Sequence, residues 1–231
     1  MTKHETIQII DLFAGPGGLS EGFNSSNLGF KNIVSAEMDS SAHNTLRLRA
    51  FYRALLKDNP KSLTDYYAFC NGQSDKPWSP RSEKQWTEAS KEAQQLTLGD
   101  PESNKILDEI IESEIDHNNP LVLIGGPPCQ AYSLVGRARN MGNKDYSAKD
   151  DHRHFLYKEY LRVIQKYSPS IFVMENVKGI LSSKVDGVPV FHEILKDLSA
   201  PHKALKSASD SENYVICSLA TGAAYHHGQC P

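Results

Sequence analysis

The chain has 231 residues, room for one or two domains with a sizeable core. Its 39% hydrophobic and 23% charged residues are those of a globular protein, and a net charge of −3 excludes a globally basic nucleic-acid coat but not one basic loop. No apolar run is long enough to span a bilayer, the N-terminus lacks a signal-peptide core, and the cysteines at 70, 129, 217 and 230 are too scattered for a disulfide framework or a metal knuckle, so a reduced, cytoplasmic, metal-free protein is expected.

Taken in order, Thr6 to Leu12 is an apolar, β-branched strand that stops at the glycine-rich AGPGG of residues 14–18. A short helix opens at Leu19, and a second strand, Ile33 to Ala36, ends in Glu37, Met38 and Asp39. Ser40 or Ser41 can cap the next helix, Ala42 to Leu56. Residues 57–95 lose this pattern: prolines at 60, 77 and 80 interrupt them, and Tyr66, Tyr67, Phe69, Trp78 and Trp86 are spread among polar residues. They read as a partly helical insertion packed on the sheet edge by its aromatics.

Leu96 to Asp100 reads as a third strand, and Asn104 to Ile115 as an amphipathic helix. Leu121 to Ile124 is short and wholly apolar, as a central parallel strand covered on both faces should be. It runs into GGPPCQAYS at 125–133, and then into a polar, basic loop over 134–150. A helix from about His154 to Lys166 leads to a second buried strand, Ile171 to Met174, ending in Glu175 and Asn176. A helix over Val190–Leu198 and a strand over Tyr214–Leu219 complete the pattern. The alternation predicts an α/β fold: an open, mostly parallel Rossmann-like sheet with helices on both faces, and ligands at the strand C-termini.

The glycines at 15, 17 and 18 permit a sharp turn and close approach of a ligand, although Ser20 stands where a GxGxxG fingerprint needs glycine. Glu37, ending the next strand, can accept two ribose hydroxyls, and Asp100 can accept an adenine amine. Each acid alone reads sooner as a helix cap or a solvated charge, but the ordered set of glycine turn, Glu37 and Asp100 is less easily dismissed. The turn carries no Lys or Arg for a pyrophosphate, so a cofactor with ribose and adenine but no phosphate, such as S-adenosylmethionine, suits it.

Two prolines after a buried strand hold Cys129 on a rigid turn, which is how a nucleophilic thiol is positioned. A free thiol has a pKa of about 8.5, so its activation must come from its surroundings or from the substrate. A parallel neighbour would set Glu175 beside that turn, where apolar walls would let the carboxyl keep a proton to donate to a ring nitrogen.

Together these residues resemble the cytosine-C5 DNA methyltransferase family. DLFAGPGG (11–18), AEMD (36–39) and LGD (98–100) are similar to its cofactor motifs, GGPPCQAYS (125–133) to its catalytic motif, and MENV (174–177) to its glutamate motif. The resemblance implies that Phe13, Ala14, Gly15, Gly17, Gly18, Leu19 and Pro127 line S-adenosylmethionine, that Glu37 holds its ribose, and that Met38 and Asp100 meet its adenine. It implies that Cys129 attacks carbon 6 of a cytosine flipped out of double-stranded DNA while Glu175 binds ring nitrogen 3. Pro128, Gln130, Ser133, Asn176 and Val177 would surround the base, with Arg137, Arg139 or Lys144 of the loop near phosphates. A modification enzyme of a restriction–modification system, in the cytoplasm of a bacterium, is the role implied.

No target-recognition domain, QxRxR motif or C-terminal cofactor motif is found, so residues 1–231 are expected to be a catalytic domain incomplete at its C-terminus. An inactive half that binds cofactor or a complementing C-terminal chain is therefore an alternative, as is an RNA cytosine methyltransferase. An amino-methyltransferase would carry an aromatic residue where Cys129 stands, and an NAD oxidoreductase would need a second nucleotide motif.

Overall fold

The computed structural model describes residues 6–127, 156–176, 180–181, 184–185, 188–206 and 213–229, which divide into two units at Gly125 and Gly126. The first unit runs β1 (Ile7–Leu12), α1 (Gly18–Asn24), β2 (Phe30–Glu37), α2 (Ser40–Asp58), a 3-10 turn (Pro60–Ser62), α3 (Leu63–Cys70), α4 (Glu83–Glu92), β3 (Ala93–Gln95), α5 (Pro101–Glu114) and β4 (Leu121–Gly125). All its strands are parallel, in the order β3-β2-β1-β4.

Successive strand residues face opposite sides of a sheet. Ile9, Ile10 and Leu12 are all 0% exposed, so both faces of β1 are covered. β4 is buried along its whole length, as its apolar sequence requires. The chain leaves β1 toward β2 on one side and later returns to β4 on the other. The order therefore reverses at β1 and β4, and a crevice is expected beyond their C-terminal ends. The glycine turn leaves one of these ends and the GGPP run the other.

Three local expectations are corrected. The edge strand is Ala93–Gln95 rather than Leu96–Asp100, because α4 delivers the chain to β2 three residues early and Pro101 then starts α5. Asp39, not Ser40 or Ser41, caps α2, since its carboxylate accepts the Ala42 N–H at 2.8 Å. The aromatics of 57–95 pack mainly on α2, not on the sheet edge: Trp78, Trp86, Tyr66 and Leu63 surround Phe51, Leu55, Ala50 and Ala89. Phe51 and Trp86 meet edge to face at 5.3 Å.

The second unit holds α6 (Leu156–Tyr167), β5 (Ile171–Met174), the short pair β6 (Lys184–Val185) and β7 (Val188–Pro189), α7 (Val190–Ser199), α8 (Pro201–Ala204), and the antiparallel pair β8 (Ile216–Cys217) and β9 (Ala224–Tyr225). Its α6 is strongly amphipathic and buries Tyr160, Leu161, Val163 and Ile164. The Tyr160 hydroxyl donates to the Val173 carbonyl at 2.9 Å, and the Tyr157 hydroxyl donates to Asp197 at 2.8 Å, tying α6 to β5 and to α7.

β5 lies where the sequence predicts, but it is not buried. Ile171 is 59% exposed and the next three residues are half-buried. Apolar composition marks a strand; it does not count how many of its faces are covered. The expected strand over Tyr214–Leu219 shrinks to the two residues of β8, because the chain turns back to pair with β9.

Candidate functional site

In the first unit the site begins where β1 ends. Phe13 takes a left-handed φ of 57°, Gly15 one of 55° and Gly17 one of 84°. Gly17 must lack a side chain, since a β-carbon there would lie 2.7 Å from Cδ1 of Leu46. Gly15 and Gly18 instead face open space, with nothing within 4 Å of such an atom. A ligand can thus approach the backbone closely at these two positions.

Two links fix the turn beside the end of β2. The Ala14 N–H donates to the Ala36 carbonyl at 3.0 Å, and the Gly15 N–H donates to Oε2 of Glu37 at 2.8 Å. The other Glu37 oxygen accepts the Asp39 N–H at 2.7 Å. On the far side of β2, the Leu96 N–H donates to the Glu37 carbonyl at 3.1 Å, so the 96–100 segment departs from the same place. Met38 stands 59% exposed there, an apolar surface without cover.

The expected cofactor residues Phe13, Ala14, Gly15, Gly17, Gly18, Leu19, Glu37 and Met38 are thus gathered along one edge of the sheet. Asp100 follows five residues beyond β3 and caps α5, accepting the Ser103 N–H at 2.9 Å. That backbone bond, together with the Ser103 hydroxyl, holds its carboxyl below the usual carboxylate range.

Asp11 was not expected to matter. It is 1% exposed, and neither carboxylate oxygen has a hydrogen-bond partner among the described residues. The Ser20 hydroxyl donates to the Gly17 carbonyl at 3.2 Å. Burial pushes the Asp11 pKa up to about 7, an effect offset in part by the Ser20 hydroxyl, strengthened by Glu92 and reduced by Arg53. Its sign in the sequence is an acid one residue before the end of a mostly apolar strand.

In the second unit Glu175, directly after β5, lies against Gly126. A β-carbon on Gly126 would be 2.4 Å from Oε2 of Glu175 and 3.4 Å from its carbonyl oxygen. The glutamate and Gly126 are therefore neighbours. Glu175 is exposed. Pro127 is buried and Asn176 half-buried. Pro128, Cys129, Gln130, Ser133, Arg137, Arg139, Lys144 and Val177 lie outside the described residues. Gly126, inside the GGPPCQAYS motif, is thus the position that leaves room for the Glu175 side chain.

The family model for C-5 cytosine-specific DNA methylase matches residues 7–65 and 84–200. The chain belongs to the C-5 cytosine-specific DNA methylase family. Both the glycine turn and the Gly126–Glu175 pair of this methylase lie within the matched stretches, while 66–83, around the α3–α4 connection, falls between them. The chain is 34% identical over 191 residues to the type II methyltransferase M.Bpa9945I of Bacillus paralicheniformis, covering 76% of this chain and 42% of that protein. It is 31% identical to the type II methyltransferase M.AquIA of Picosynechococcus sp., over 76% of this chain and 50% of that one. It is also 31% identical to the type II methyltransferase M.DdeI of Desulfomicrobium norvegicum, over 84% and 32%. The methylase chain thus spans half or less of the length of each of these relatives. Among its described residues no helix is long and apolar enough to cross a membrane.

Proposed function

We propose that this chain carries the catalytic half of a DNA (cytosine-5-)-methyltransferase of a restriction–modification system, acting on double-stranded DNA in the bacterial cytoplasm. The observation that carries the reading is the Glu175 carboxylate lying against Gly126, three residues before Cys129, in a chain that belongs to the methylase family. The names of the relatives, all type II methyltransferases, support the biological role.

S-adenosylmethionine fits the residues at the glycine turn. The open backbone at Gly15 and Gly18 admits a close ligand, Glu37 offers a fixed carboxylate for ribose hydroxyls, exposed Met38 offers an apolar face for adenine, and Asp100 an acceptor. When bound, it supplies the electrophilic methyl that cytosine carbon 5 accepts.

The chain's own residues do the rest. The base is flipped out, because a stacked ring is inaccessible. The Cys129 thiolate adds to carbon 6, and Glu175, in its protonated form, hydrogen-bonds ring nitrogen 3 and stabilises charge developing on the ring. After methylation the carbon-5 proton leaves and the carbon 6–sulfur bond breaks, which returns Cys129 and restores aromaticity. Arg137, Arg139 and Lys144 hold backbone phosphates beside the flipped base.

A second reading has its own support: the chain acts only with a complementing C-terminal chain. The second unit leaves Ile171 59%, Val215 51% and Leu219 90% exposed, and the matched stretch spans half or less of each relative. The test is transfer of labelled methyl from S-adenosylmethionine to DNA, with and without the C-terminal half of a relative. Cys129→Ser is expected to abolish transfer while leaving cofactor binding unchanged. Turnover at the original rate in that variant would overturn the nucleophile, and transfer by the chain alone would decide against the second reading.

A further inference from the structure

Behind the glycine turn lies a charged network that the chemistry above does not use. Arg53, on α2, forms ion pairs with Glu21 of α1 and with Glu92 at the end of α4. The three side chains are only 19%, 32% and 21% exposed. Glu92 also accepts from the Asn32 amide of β2 at 3.2 Å, and the Asn32 carbonyl oxygen accepts from Asn24 of α1 at 3.0 Å. Burial holds the Glu92 carboxyl above its usual range, with the Arg53 charge opposing that rise.

Each spoke of this network leads to one of the three cofactor segments. Glu21 is one helical turn from Gly17, and its N–H donates to the Gly17 carbonyl at 3.1 Å. Asn32 lies on the strand that ends in Glu37. Glu92 immediately precedes β3, from which the chain runs to Asp100. We infer that Arg53 is a positioning residue for S-adenosylmethionine: through Glu21 and Glu92 it fixes the glycine turn, Glu37 and the 96–100 segment relative to one another, without touching the cofactor.

The arrangement suits that task better than a generic surface pair. A guanidinium is a planar fork that can hold two carboxylates in fixed geometry. Without it Glu21 and Glu92 would lose the cation they share, and nothing in the two ion pairs would then link α1 to the end of α4. Binding groups that are no longer held in place must be ordered at the cost of binding free energy, so affinity falls.

The inference rests on the S-adenosylmethionine reading, and the experiment separates the two. Calorimetric titration of S-adenosylmethionine into the whole chain is compared for wild type, Arg53→Met, Glu21→Gln and Arg47→Met, at a temperature where circular dichroism shows each folded. Arg47 stacks over Trp86 at 4.5 Å in the same α2–α4 packing but outside the network, so its loss reports on structure alone. Arg53→Met and Glu21→Gln are expected to weaken binding about tenfold, and Arg47→Met to leave it unchanged. A change of less than threefold in both network variants, or an equal loss in Arg47→Met, overturns the positioning role. If Arg53→Met does not fold, Glu21→Gln decides by the same threshold. Absence of binding by the wild type overturns the cofactor reading itself, and this inference with it.

Discussion

The carboxylate of Glu175 occupies the place that a side chain on residue 126 would take: a β-carbon on Gly126 would lie 2.4 Å from its Oε2. What such a carbon meets first is the free end of an exposed, flexible side chain, which can rotate away at little cost. Gly126→Ala is therefore expected to fold within ~1 kcal/mol of wild type but to displace the glutamate and lose methyl transfer by about 100-fold. Thermal unfolding and a labelled-methyl assay, run under whichever conditions support transfer by the wild type, measure the two halves of this expectation. Undiminished transfer would show that the spacing between 126 and Glu175 does not matter.

The adjacent glycine should behave in the opposite way. Gly125 has φ +151°, and a β-carbon there would lie 2.0 Å from the carbonyl oxygen of Leu12, its partner across the β1–β4 pairing. Here the obstacle is backbone inside a buried sheet, which cannot step aside. Gly125→Ala is expected to cost on the order of 3 kcal/mol or more in urea unfolding. Wild-type stability would mean that β1 and β4 separate more easily than their burial implies.

How much of this could be read in the sequence follows the range of the interactions. The end of β1, the glycine turn, β4 and the placement of Glu175 after β5 were legible, because local composition and a turn signal fix them. Asp39 is not singled out as a cap by composition, because two serines follow it and all three residues are good caps. The edge strand was misplaced because AQQ has little strand character and pairs only by lying beside Ser35–Glu37. Arg53, Glu21 and Glu92 were invisible as a set, since they sit on three helices and meet only once the chain has folded.

Glu37 holds one backbone N–H on each carboxylate oxygen, from Gly15 at 2.8 Å and from Asp39 at 2.7 Å. A glutamine of the same shape offers a single acceptor oxygen and would turn its amino group toward one of those donors. Leaving a buried or half-buried group without its partner costs about 1–3 kcal/mol. Both Glu37→Gln and Glu37→Ala are thus expected to weaken S-adenosylmethionine binding by roughly tenfold or more in calorimetry. A glutamine variant with unchanged affinity would assign the carboxylate's charge no part in holding the turn or the ribose.

Asp11 makes stability depend on pH in a direction opposite to that of a salt-bridged acid. Burial raises its pKa from 3.8 to about 7, so between those values the folded chain keeps a proton that the unfolded chain releases. This contribution to stability is fully present below the unfolded value, shrinks as pH rises through the window and is lost above about 7. Asp11→Asn carries no such proton and supplies a neutral amide of the same size. The variant should match wild type near pH 4 and exceed it at pH 8 by on the order of 4 kcal/mol, as a raised pKa demands. Urea unfolding of both proteins across that range isolates the residue, because every other titration is shared and cancels in the difference. A difference independent of pH would place the Asp11 proton loss outside this window and contradict the effect of its burial.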